Sequence, residues 1–98
     1  MASVQIETLG PGHYQLVGDL TFETVTALCK QKKVFFRQQG DVLVDLSLVS
    51  KADSAGLACL LELVRQAKSR NVEIKFDNIQ KQLHSLVRVS GLENLMAH

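Results

Sequence analysis

The stretch DVLVDLSLVSKADSAGLACLLELVRQAKS, residues 41–69, changes its hydrophobic period partway along. DVLVDL is a short, mostly apolar run, the pattern of a strand covered on both faces. The polar segment that follows reads as a loop. From Ser54 to about Ser69 the period becomes helical: Leu57, Leu60, Leu61, Val64 and Ala67 fall on one stripe, with Glu62, Arg65, Gln66 and Ser69 opposite. VEIKF then alternates as a further strand. Strand, helix and strand in that order form a βαβ unit, whose strands must lie parallel.

The flanking segments extend this plan. SVQIETL sets Val4, Ile6 and Leu9 against Gln5 and Glu7, a half-buried strand. Gly10-Pro11-Gly12 is a turn by composition, and HYQLVGDL returns as the second arm of a hairpin. Thr21 is placed to cap a first helix with Glu23 in its first turn. Phe22, Val25, Leu28, Cys29, Phe35 and Phe36 supply its apolar face, Lys32 interrupts that face with a stem able to snorkel, and Gly40 ends the helix. A last helix carries Ile79, Leu83, Leu86 and Val87, with Gly91 as its C′ residue. The expected fold is α/β in the order β-β-α-β-α-β-α: a mostly parallel four-stranded sheet with an antiparallel N-terminal edge strand, packed by helices. At 98 residues, 1–98 is expected to be one domain.

Several function classes lack support. A formal net charge of +1 gives no electrostatic case for nucleic acid, and Lys30, Lys32, Lys33 and Arg37 read as a solvated helix face. MASVQIETLG lacks the basic and apolar regions of a signal peptide, and no apolar run approaches a bilayer span, so no membrane insertion is expected. Cys29 and Cys59 lie among apolar neighbours without CxxC spacing, as reduced, buried thiols of a cytoplasmic protein do. His13, His84 and His98 are scattered, with no partner at ligand spacing, so neither metal nor cofactor is expected. Ser54, His84 and Asp45 are the residue types of a hydrolytic triad. Nothing in the sequence suggests an oxyanion hole or cleft beside them, and no enzyme activity is expected.

The joint between the central strand and its helix concentrates the remaining interest, because loops at the carboxyl ends of parallel strands commonly carry function. Asp53 or Ser54 can cap the helix. The small, mildly apolar turn Ala55-Gly56-Leu57-Ala58 would also let another protein's backbone approach closely.

VLVDLSLVSKADSAGLACLLEL resembles the pattern of the STAS domain family, the fold of the anti-sigma factor antagonists. The matching residues are Asp45-Leu46-Ser47 and Asp53-Ser54-Ala55-Gly56-Leu57, and LVGDL and SGLENL resemble its flanks. The resemblance extends over nearly the whole chain, with its specific part between Asp45 and Leu61. It implies a central sheet packed by helices and no catalysis. In sigma-regulating members the Ser matching Ser54 is phosphorylated by a partner kinase, and the unmodified form binds that partner. In the compact MlaB branch the matching residue belongs to a surface that docks on the ATP-binding subunit of a phospholipid ABC transporter, which maintains outer-membrane lipid asymmetry. The short chain and GDLTFETV resemble that second branch. The family commonly has Asp where this sequence has Thr21, and losing that acidic neighbour favours docking over a phosphate switch. The resemblance thus implies a partner surface of Lys51, Asp53, Ser54, Ala55 and Cys59, and a cytoplasmic protein held at the inner membrane by its partner. The alternative is an anti-sigma factor antagonist whose partner is a serine kinase and whose phosphorylation site is Ser54.

Overall fold

The computed structural model describes residues 2–89. The chain begins as a hairpin: β1 (Val4–Gly10) and β2 (His13–Leu20) pair antiparallel, with Val4 opposite Gly18 and Gly10 opposite His13. Gly12 in its turn has φ +69°, and a Cβ there would meet the Asp41 carbonyl oxygen at 2.7 Å, so both conformation and space require glycine. β2 then runs parallel to β3 (Val42–Ala52), and β3 parallel to β4 (Ile74–Asp77), in the spatial order β1-β2-β3-β4.

The helices are α1 (Val25–Lys30), α2 (Ser54–Ser69) and α3 (Lys81–Val89). Both crossovers, β2 to β3 and β3 to β4, step the same way across the sheet. Right-handed connections therefore put α1 and α2 on one face. The core forms there, from Tyr14, Leu16, Val44, Leu46 and Phe76 of the sheet and Leu28, Leu57, Leu60, Leu63, Leu83 and Val87 of the helices. Leu43, Asp45, Lys75 and Asp77 point the other way and are only half-buried. The expected strand covered on both faces is thus a strand covered on one.

Three further expectations change. β3 continues through the supposed polar loop to Ala52. Its register against β2 shifts twice, between Gln15 and Val17 and again between Gly18 and Asp19, each time inserting one extra β3 residue. Burial along β3 accordingly falls on Val42, Val44, Leu46, Val49 and Ala52, a period of two that lengthens to three.

The first helix is also shorter than its apolar spacing suggests. α1 ends at Lys30 and a 3-10 helix, Lys32–Phe36, follows. That tighter segment delivers Phe35 edge-on to Tyr14, with ring centroids 5.2 Å apart and planes at 77°. Arg70 lies 5.0 Å above the Phe36 ring. Thr21 is not the N-cap of α1. Thr24 occupies that position, and its hydroxyl donates to the Asp19 carbonyl at 2.7 Å and accepts the Thr21 N–H at 3.0 Å.

In α2 the bounds match the expected helix, and Leu57, Leu60 and Ala67 of the expected stripe are buried; Gly56, Cys59 and Leu63 join them, while Val64 is half-buried and Leu61 is exposed. The predicted C′ residue Gly91 lies outside the described residues.

Candidate functional site

β3 ends at Ala52 and α2 starts at Ser54, so Asp53 is the whole connection. Its backbone is extended (φ −138°, ψ −172°), which turns its carboxylate back over the helix start. Oδ1 accepts the N–H groups of Ala55 and Gly56 at 2.9 and 3.1 Å, and Oδ2 accepts that of Phe22 at 3.1 Å. The Asp53 N–H in turn donates to the Leu20 carbonyl at 3.2 Å. The cap is therefore Asp53, and it fastens the end of β2 to the first turn of α2.

Gly56 lets that turn come close. A Cβ on it would collide with the Leu20 carbonyl oxygen and stand 2.9 Å from the Leu20 side chain. Ser54, relieved of capping, is exposed, as are Lys51 and Ala58, while Asp53 and Ala55 are half-buried. These residues form one surface, and the first turn of α2 carries no acidic side chain.

Cys59 does not join that surface. Its side chain is 4% exposed and faces α1, where its Sγ lies 3.0 Å from that of Cys29. Burial, and then the contact with Cys29, push its thiol pKa well above the ordinary range. Both cysteines are free.

Sequence reasoning missed Phe22. It is 74% exposed, immediately beside Asp53, although its spacing assigned it to the apolar face of the first helix. The sequence carries no clear signal for this, because Thr21 and Thr24 are both residue types that cap helices, and the structure uses Thr24.

Asp45, the other acidic residue of the family-like pattern, lies on the open face of the sheet. Its carboxylate accepts Asn78 Nδ2 at 3.0 Å, Gln15 Nε2 at 3.0 Å, and the Ser47 N–H and hydroxyl at 2.8 and 3.1 Å. Burial works to raise its pKa, but the bonds from Asn78, Ser47 and Gln15 outweigh it and leave the carboxyl below its usual value. This network fixes the first bulge of β3. His84 is on α3, packed against the opposite face, so Ser54, His84 and Asp45 do not assemble as a triad. Among the described residues no group of three or more His, Cys, Asp or Glu could hold a metal, and no helix is long and apolar enough to cross a membrane.

The family model described as "Mlab, STAS domain" matches residues 7–97. The chain belongs to the STAS domain family. Its fold is similar to that of the Bacillus cell-fate determinant SpoIIAA in the phosphorylated form, at a TM-score of 0.72 and 18% identity, over 95% of this chain and 87% of that one. It is also similar to a sulfate transporter family protein from Wolinella succinogenes (TM-score 0.66, 17% identity, 93% of this chain and 75% of that one). The murine anion transporter Slc26a9 matches at a TM-score of 0.68 and 18% identity, over 92% of this chain but 16% of the transporter. No match is found among curated proteins. SpoIIAA in its unphosphorylated form, an anti-sigma factor antagonist, matches at a TM-score of 0.66 and 15% identity over 87% of this chain and 81% of that one, so the fold occurs both in an anti-sigma factor antagonist and in transporters.

Proposed function

We propose that this STAS domain, spanning 1–98 as one unit, is the non-catalytic subunit of a phospholipid ABC transporter that maintains outer-membrane lipid asymmetry. It binds the ATP-binding subunit and regulates or stabilises it from the cytoplasmic side, reaching the inner membrane through that partner without inserting. The observation that carries this reading is the family match under the MlaB description over residues 7–97. The surface around the start of α2 supports it: Lys51, Asp53, Ser54 and Ala55 offer a small platform whose two charges are opposite in sign, and Phe22 stands beside it as an aromatic anchor. Cys59 is buried against Cys29 of α1 and is not exposed on this platform.

Stable docking of this kind buries roughly 1,200–2,000 Å² in total. A long cation at Ser54→Arg, or a buried charge at Ala55→Glu, abolishes co-purification with the ATPase while circular dichroism shows the domain still folded. Retained binding by both variants would sink the proposal.

A second reading rests on Ser54 itself, exposed at the first position of a 16-residue helix and not used as its cap. In an anti-sigma factor antagonist, a partner kinase phosphorylates that hydroxyl. The added charge of about −1.5 to −2, set beside Asp53, expels the partner. Incubation with ATP and the native lysate, followed by mass spectrometry, tests it. The absence of any phosphate on Ser54 rejects the switch.

A further inference from the structure

Two cysteines buried merely as small apolar side chains have no reason to meet. Here they are 30 positions apart in sequence, on different helices, and their sulfurs face each other across the α1–α2 interface at 3.0 Å. A disulfide bond is about 2.05 Å long, so closure needs roughly 1 Å of approach. Three residues further along each helix direction, Lys32 Nζ and Glu62 Oε2 pair at 3.1 Å across the same interface. The two contacts repeat at the same interval on both sides and hold the segments in register. We propose that Cys29 and Cys59 are an oxidisable dithiol, which a small-molecule disulfide converts into an intramolecular bridge between α1 and α2.

The two thiols divide the reaction by exposure. Cys29 is half-buried and reachable, and Cys59 is buried. The Cys29 thiolate attacks one sulfur of the small disulfide, forming a mixed disulfide and releasing one small thiolate, which takes up a proton. Cys59 then loses its proton to solvent base, and its sulfur attacks Cys29 Sγ, expelling the second small thiolate. The balance is one protein dithiol and one small disulfide going to one protein disulfide and two small thiols. Burial holds the proton on Cys59 and slows the second step, while the 3.0 Å separation makes it intramolecular and favoured over attack by a second protein molecule.

The bridge fastens α1 to the helix that opens with Ser54. It closes a loop of about 30 residues, for which chain-entropy arguments give a rise in melting temperature of roughly 15–20 °C.

The experiment treats the reduced protein with oxidised glutathione and follows intact mass, gel migration and melting temperature. The expected product is monomeric, lighter than the reduced protein by about 2 Da, and maps by peptide mass to Cys29–Cys59. Cys59→Ala, shown to be folded by circular dichroism, should instead accumulate a glutathione adduct on Cys29. Wild-type protein that keeps both thiols free, retains a persistent adduct, or forms disulfide-linked dimers overturns the proposal, and that reading needs no variant to fold.

Discussion

Asp53 Oδ2 accepts the backbone N–H of Phe22 at 3.1 Å, tying the segment after β2 to the start of α2. The same carboxylate caps α2 through Ala55 and Gly56, so one side chain holds both walls of the candidate surface. Capping by Asp53 leaves the neighbouring hydroxyl of Ser54 outside the fold's own needs. In this joint the aspartate is structural and the serine faces solvent.

Asp53→Ala removes the cap and leaves the Phe22 N–H without its partner. A lost cap costs about 1 kcal/mol and an orphaned donor a comparable amount, so the variant should be less stable by roughly 1–3 kcal/mol. Asp53→Asn keeps one oxygen for the cap but turns an amide N–H₂ towards Phe22, and should fall between alanine and wild type. Urea denaturation with an unchanged m-value checks the order. An asparagine variant as stable as wild type would show that the Phe22 bond contributes nothing.

Replacing a helical glycine with alanine ordinarily stabilises by about 1 kcal/mol. Gly56→Ala should do the opposite, because the new Cβ meets the Leu20 carbonyl oxygen and the Leu20 side chain. Overpacking of this kind costs roughly 1–3 kcal/mol and forces α2 away from β2. The melting temperature should drop, and a rise would mean that the approach of α2 to β2 is looser than the structure has it.

Glu62 meets Lys32 at 3.1 Å, Gln66 at 3.3 Å and Arg65 at 2.7 Å, which lowers its pKa from 4.5 to about 2, Lys32 having the largest effect. A depressed folded-state pKa means that the carboxylate stabilises the fold above the unfolded value of 4.5. That contribution is lost as pH falls from 4.5 towards 2. The stability gap between wild type and Glu62→Gln should therefore close across this window. Because Arg65 is largely exposed, the gap should also narrow in high salt. A gap constant from pH 7 to pH 2 would remove Glu62 from the acid response.

Much of this arrangement was legible because local rules and tertiary packing agree in it. The Gly10-Pro11-Gly12 turn, the bounds of α2 and the parallel order of β2, β3 and β4 follow from turn chemistry and periodicity. β3 was misread where it leaves period two. Ser47, Ser50 and Lys51 are exposed on a strand that bulges twice, and their polarity imitates a loop. Spacing alone puts Phe22 and Phe35 together on one long helix, because it does not show that the helix begins only at Val25 and tightens at Lys32. The family resemblance implies Cys59 on the docking surface, yet five residues along a helix from Ser54 turn its side chain towards α1.

The exposed Phe22 ring offers the sharpest separation of stability from binding. It is 74% exposed, and its tie to Asp53 runs through the backbone N–H, which alanine retains. Phe22→Ala should therefore change folding stability by no more than about 0.5 kcal/mol, as surface substitutions do. If the surface around the start of α2 docks a partner, an aromatic beside its centre should contribute more than about 1 kcal/mol there, weakening binding by roughly fivefold or more. Titration of the purified ATPase with wild-type and Phe22→Ala protein measures the second quantity, and urea denaturation the first. Unchanged affinity would move the interface away from Phe22. A large loss of stability would instead mean that the ring packs against its own domain.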